Sequence, residues 1–319
     1  MAFSPVVGPQ DWARQYEQCN GIRQSPVHVH SDSVIHNPEL GQFFFGGHED
    51  IHRLKARMIN SGKAVQVELS GTQYIEDGGL NGRYIAIQFH FHWGSESSRG
   101  SEHVLNMRRF PMELHIVHYA QKYGNLSTAI GKSDGLAVLS FLFETTEEEN
   151  LEFDSLASHL TNISEPGQSV EVDEFCLKTI FPGDLRKFYR YLGSLTTPPC
   201  QESVIWTIFS DTVKISKRQM NMFRHLRSAP LSVVSAPSAQ EAGQAEFVKD
   251  IFLGDNFRPL QELNGREIYS SVDPKLMKLK RPGRFERPAF GSSHQAGPNM
   301  FYNTMSTLTA IVLLPLLRL

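Results

Sequence analysis

His90-Phe91-His92 and Glu113-Leu114-His115 are the residues whose types and spacing carry chemistry. They lie in runs rich in β-branched and aromatic side chains, Arg83–Trp93 (RYIAIQFHFHW) and Glu113–Tyr119 (ELHIVHY), a composition that reads as strand. Side chains at i and i+2 of a strand point to the same face. His90 and His92 therefore project together, Phe91 faces the other way, and His115 shares its face with Glu113. If the two strands are neighbours, three imidazoles converge, as a three-histidine zinc site with an open fourth position requires. Zinc held in this way lowers the pKa of its bound water to about 7 and makes hydroxide available at neutral pH. Gln88 and Glu113 stand two residues before His90 and His115 on the same faces. They are natural acceptors for the outer ring protons, which would fix ring orientation and tautomer.

The rest of the chain must position these residues. An H-x-H pair alone is more often two ordinary histidines, and the spacing also occurs in metal-binding jelly rolls of the cupin type. The 319 residues include 31 basic and 34 acidic side chains, interspersed, for a net charge of −3, which predicts no nucleic-acid footprint. Three cysteines cannot make a thiolate zinc finger or a disulfide framework. Thirteen histidines make imidazole the metal-capable group. Length suggests two domains at roughly 150 residues each, but single β-rich domains of about 250 residues are common. No repeat has a fixed period, and no linker divides residues 10–270. Further strands are expected at Lys63–Leu69, Leu136–Phe143 and Val204–Phe209, with turn clusters such as Glu76–Gly82 between them. Helical stretches are few, at Glu148–Leu160 and Lys217–Leu226. Many strands and sparse helices predict one β-dominated domain.

The ends carry different signals. After Ser271 the chain becomes DPKLMKLKRPGRFERP, expected to be a flexible basic stalk. From Met305 it reads MSTLTAIVLLPLLRL, shorter than the about 20 apolar residues of a spanning helix. Small residues at Gly291, Ser292 and Ser293, a polar stretch through Asn303 and this apolar tail match a glycosylphosphatidylinositol-anchor signal. The start, MAFSPVVGPQDW, has neither the basic n-region nor the apolar h-region of a signal peptide. An anchored protein must enter the secretory route, so either a leader is missing from this sequence or the tail is not an anchor signal.

FHFHWG at Phe89–Gly94, SEHVLN at Ser101–Asn106, ELHIVH at Glu113–His118 and GSLTTPPC at Gly193–Cys200 together resemble the α-class carbonic anhydrases. Their order and spacing fit, as do QSPV at Gln24–Val27 and NFRPLQELNGR at Asn256–Arg266. The likeness spans roughly Gly8–Ser271, and a cupin explains neither GSLTTPPC nor SEHVLN. It implies a β-dominated α+β fold, a single domain on a large, mostly antiparallel twisted central sheet with short peripheral helices. The catalytic domain would cover 5–272, the stalk 273–304 and the tail 305–319. By the same resemblance, His90, His92 and His115 hold Zn2+, and the reaction is reversible hydration of carbon dioxide to bicarbonate and a proton. Thr196 would accept a hydrogen bond from zinc-bound hydroxide and pass its own proton to Glu102, a positioning effect. The Thr196 amide would orient the substrate, and Thr197 would line the bicarbonate side. Val117, Val138, Leu195, Val204 and Trp206 match the family's apolar wall. Sulfonamide-type inhibitors are expected to bind, and small activated esters are expected substrates of the same hydroxide.

Departures from the family pattern matter as well. Many fast members carry a proton-shuttling histidine where this chain has Lys63, in Asn60-Ser61-Gly62-Lys63. Lysine is mostly charged at neutral pH and a poor proton acceptor, so hydration is expected to survive but to be limited by proton export. Val6-Val7 stands where the family's N-terminal segment carries an aromatic residue, in keeping with a truncated start or an alternative first exon. Cys19 and Cys200 occupy the positions of the single disulfide in secreted and membrane-bound members, leaving Cys176 as a small buried hydrophobe. With the acceptor sequons at Asn125 and Asn162 and the anchor tail, the bridge predicts the extracellular face of the plasma membrane, attached through lipid. The alternative is a catalytically weak or inactive interaction domain of the same fold; the three retained histidines and the Thr196/Glu102 pair argue against it.

Overall fold

A strand that alternates aromatic and polar residues offers one face to a core and the other to whatever the polar residues do. Tyr84–Trp93 does this, and its neighbours in the sheet complete both faces. The computed structural model describes residues 8–50, 54–173, 175–228 and 251–277. Among the described residues the strands run β1 (His28–Val29), β2 (Ile35–His36), β3 (Phe43–Gly46), β4 (Lys55–Asn60) and β5 (Val65–Ser70). Next come β6 (Tyr74–Asp77), β7 (Tyr84–Trp93), β8 (Val104–Leu105), β9 (Met112–Ala120) and β10 (Leu136–Thr146). The last are β11 (Ser169–Val172), β12 (Phe188–Gly193), β13 (Val204–Phe209), β14 (Val213–Ser216) and β15 (Tyr269–Ser270).

Thirteen of them form one sheet with the path β11-β4-β5-β7-β9-β10-β13-β12-β15-β2. β14 flanks β10, β6 bridges β3 to β7, and β1 pairs with β8 apart from this sheet. The sheet is mixed but mostly antiparallel: only β10 with β13, β10 with β14, and β15 with β2 run parallel.

Two apolar clusters lie on opposite faces. Phe89, Phe91 and Trp93 of β7, Met112, Leu114 and Ile116 of β9, and Phe141 and Phe143 of β10 join the main core. Val117, Val138, Val204 and Trp206 lie in a second cluster, with Leu195 packed against it. Burying one aromatic side chain stabilises by about 2–3 kcal/mol, and a one-residue slip would exchange the two faces. The aromatic face therefore holds the register of the histidine face. One irregularity assists: the β7–β9 register shifts between Ala86 and Gln88. This bulge changes the parity of β7, so Tyr84 shares the main core with Phe89 while Ile87 packs against the second cluster.

Several expected boundaries move for local reasons. The strand expected from Lys63 begins at Val65, because Ser61–Ala64 closes a turn. Gly62 adopts φ +75 there, and Ser61 Oγ accepts from the amides of Lys63 (3.3 Å) and Ala64 (3.0 Å). The helix expected at Glu148–Leu160 starts at Leu151, capped by Asn150, and ends at Ala157 before a 3-10 stretch over Ser158–Ile163. The helix after Ser216 spans Lys217–Arg224, with a reciprocal Ser216/Gln219 capping box. Cys176 is half-buried rather than buried, and its thiol donates to His48 O at 3.0 Å.

The Cys19–Cys200 disulfide is formed across 181 residues. By loop-closure entropy such a bridge is worth at most about 5 kcal/mol. Pro274–Met277, at the start of the expected stalk, is a short helix; the rest of the stalk and the tail lie outside the described residues, as does Val6-Val7. Among the described residues no helix is long and apolar enough to cross a membrane.

Candidate metal centre

Register brings the expected ligands together. His90 pairs directly with His115 across β7 and β9, and His92 follows on the same face of β7. Their ring centroids lie 5.0 Å (His90–His92), 5.3 Å (His90–His115) and 4.6 Å (His92–His115) apart. One nitrogen from each ring falls within 4.8 Å of the other two.

The outer hydrogen bonds decide which nitrogens face inward. His90 Nδ1 donates to Gln88 Oε1 at 2.9 Å, His92 Nδ1 to Asn256 O at 2.7 Å, and His115 Nε2 to Glu113 Oε1 at 2.7 Å. Lone pairs are thereby left on His90 Nε2, His92 Nε2 and His115 Nδ1. His92 Nε2 is buried without a hydrogen-bond partner, a costly arrangement unless something electrophilic completes it. Burial, reinforced by the neighbouring imidazoles, holds His90 well below the ordinary histidine range. Burial also lowers His92 and His115, against the opposing pull of Glu113. All three rings are therefore neutral near pH 7, as metal ligation demands.

Glu113 is the anchor of the β9 side. Oε1 accepts from His103 Nδ1 (2.6 Å), His115 Nε2 (2.7 Å) and Ser140 Oγ (2.6 Å), and Oε2 accepts from the His103 amide (2.8 Å). Burial alone would raise its pKa, but His103 and His115 hold it well below the usual carboxylate range. His103, Glu113 and His115 also cluster closely enough for a metal, yet their facing nitrogens hold protons in these bonds. That group is a hydrogen-bonded support.

Glu102 is the second carboxylate, buried against the imidazoles. Its Oε2 stands 3.5 Å from His92 Nε2 and 3.9 Å from His115 Nδ1, while Oε1 accepts the Arg258 amide at 2.8 Å. Burial raises its pKa to about 6, opposed by His115, the Arg258 amide and the hydroxyl of Thr196. Thr196 is buried on the loop after β12, and Thr197 beside it is exposed. The apolar wall follows from register: Val117 pairs with Val138, Val138 with Trp206, and Leu136 with Val204. Val117 also pairs with Gln88, two residues from His90. The wall thus adjoins the histidines along the same sheet face.

A model of the eukaryotic-type carbonic anhydrases matches residues 7–272. The chain belongs to that family. It is similar to carbonic anhydrase 6 of Bos taurus, 40% identical over 220 residues covering 67% of this chain and 68% of the relative. Carbonic anhydrase 12 of Homo sapiens is 35% identical over 266 residues (83% and 71%), and carbonic anhydrase 4 of Rattus norvegicus is 34% identical over 278 residues (86% and 83%).

Within this carbonic anhydrase fold, Lys63 lies exposed on its turn. Its carbonyl accepts from Asn256 Nδ2 at 3.0 Å, so one asparagine connects the turn to His92. Asn256 Oδ1 also accepts the Trp93 amide at 2.8 Å. Sequence reasoning missed Asn256, His103 and Ser140. The first two lie inside motifs quoted for the resemblance, and Ser140 is the one polar residue in LAVLSFLF, a signal that was there to use.

Proposed function

We propose that the chain catalyses the reversible hydration of carbon dioxide to bicarbonate and a proton, with zinc held by His90, His92 and His115. The carrying observation is the convergence of three neutral imidazoles beside Glu102 and an apolar wall. Such a donor set suits zinc with an open position, and zinc when bound supplies a water acidic enough to ionise near pH 7. Gln88, the Asn256 carbonyl and Glu113 keep the rings in the ligating tautomers. Thr196, whose hydroxyl lies near enough to Glu102 to lower its pKa, would give its proton to that carboxylate and accept from hydroxide, which would turn a hydroxide lone pair toward the substrate carbon. Val117, Val138, Val204, Trp206 and Leu195 would hold a nonpolar gas molecule that needs no polar partner, and Thr197, exposed beside Thr196, would line the bicarbonate side. One C–O bond would form, a C=O electron pair would move to oxygen, and the proton lost when the water ionises would leave to solvent. Stopped-flow hydration blocked by an aromatic sulfonamide is the expected result. Absence of hydration by protein carrying one zinc per chain would refute the reading.

Proton export past Lys63 limits turnover in this reading. Imidazole buffer and Lys63→His should each raise turnover several-fold in weak buffer; no change with either sinks the idea. The Cys19–Cys200 bridge supports an oxidising, extracellular address. The sequon asparagines Asn125 and Asn162 are exposed. Asn125 caps the Leu126–Ala129 helix through Oδ1, which leaves its Nδ2 for a glycan. A lipid anchor that replaces the cleaved 305–319 tail completes the address, and phospholipase release from cells tests it.

A further inference from the structure

QSPV and the Arg258 side chain have no role in the chemistry above, yet the structure draws them together beside the Thr196–Glu102 pair. Arg258 is 3% exposed. Its amide donates to Glu102 Oε1 at 2.8 Å. Its guanidinium donates in the other direction, to Gln24 Oε1 (2.9 Å), Ser25 O (2.9 Å) and Cys19 O (3.4 Å). All three acceptors are neutral, so this buried cation costs desolvation without a hydrogen-bonded carboxylate on its side chain. What it holds in return is geometry.

Gln24 carries the connection onward. While Oε1 accepts from Arg258, Nε2 donates to Cys200 O at 3.3 Å, Gln18 O at 2.9 Å and Glu202 Oε1 at 3.1 Å. Cys200 closes the loop that bears Thr196, through its amide to Thr197 O at 2.9 Å and through the bridge to Cys19. Ser25 exchanges two 3.0 Å hydrogen bonds with Ser194 at the other end of that loop. The segment Cys19–Ser25 therefore grips the Thr196 loop on one side and, through Arg258, the backbone amide that holds Glu102 on the other.

We propose that Gln24 and Arg258 are positioning residues that set the separation of Thr196 and Glu102, coupling the disulfide-bonded N-terminal segment to this pair. The inference rests on the reading of Thr196 and Glu102 as the groups that orient hydroxide. A displacement of about 1 Å in such a pair is enough to lower turnover about ten- to a hundredfold, while the apolar slot is left intact. Arg258→Met and Gln24→Met should thus lower kcat/KM by about tenfold or more, and lower kcat as well once imidazole buffer has relieved proton export. Both losses should nearly vanish in a Thr196→Val background, because the residues act through that hydroxyl.

The readout independent of turnover is infrared spectroscopy of zinc-free protein with the disulfide intact. Subtracting the Glu102→Gln spectrum isolates the Glu102 carboxylate stretch, which should shift in either Met variant. If Arg258→Met does not fold, Gln24→Met carries the same expectation. An unmoved band, or kcat/KM losses that add in full to that of Thr196→Val, overturns the proposal. A zinc-loaded wild type that does not hydrate carbon dioxide overturns the proposed function instead, and the band shift still decides the positioning role.

Discussion

Two groups of buried or half-buried histidines share the same local wiring and differ in company. At the candidate metal centre, His90 and His92 give their Nδ1 protons to Gln88 and to the Asn256 carbonyl. On the other face of the sheet, His48 donates to Gly46 O at 3.0 Å, and His118 donates to Ile116 O (3.1 Å) and Ala137 O (3.2 Å). His48 Nε2 and His118 Nε2, like His92 Nε2, are buried without a partner. But their rings lie 6.5 Å apart, and among the described residues no third ligating atom completes a group with them. His115 and His118 even share β9: an offset of three residues puts one on the site face and the other in the core. A buried imidazole with a free lone pair is thus not a site. A third ring and a carboxylate at the same point make it a candidate.

The largest expected effect separates these two faces of one strand. His115→Gln should abolish zinc binding and lower hydration by about a thousandfold or more. His118→Gln should keep one zinc per chain while costing about 1–3 kcal/mol of stability from carbonyls left unpaired. Metal analysis beside denaturant unfolding reads both; zinc retained in His115→Gln would erase the distinction.

Next in size is the carboxylate that accompanies the three rings. Glu102→Gln or Thr196→Val should lower kcat/KM by about a hundredfold with zinc retained. A loss of zinc along with activity would instead place Glu102 among the ligands.

The smallest effect is a pH slope from the pair without a metal. Burial takes His48 down to about 4 and His118 to about 3, against carbonyl acceptors that pull upward. The unfolded chain protonates near 6.5, so between pH 6.5 and 4 it binds protons that the folded state refuses. Stability is full above pH 6.5 and falls on acidification, by about 1.4 kcal/mol per pH unit for each such ring. His48→Gln should flatten this slope in urea titrations between pH 7 and 4.5; an unchanged slope would mean that the ring titrates normally in the fold.

What was legible followed from period. Alternation through Gln88, His90 and His92, and through Glu113 and His115, placed side chains on faces that the register then joined. The bulge before Gln88 was not legible, because an extra residue in a strand leaves no compositional mark when it is Ile87. Asn256 escaped because its contact with His92 is through a backbone carbonyl, which every residue type owns. Thr196 and Glu102 sit on loops, where no period operates, and only the motif resemblance singled them out. Helix ends moved where caps, such as Asn150, outranked hydrophobic pattern.

The central claim is that three imidazoles make a zinc-dependent hydratase. Stopped-flow hydration of carbon dioxide by chelator-stripped protein, before and after one equivalent of zinc, tests it most directly. The account predicts activity lost on stripping and restored by that single equivalent. Full activity in the stripped protein, or none after zinc has bound stoichiometrically, would contradict it.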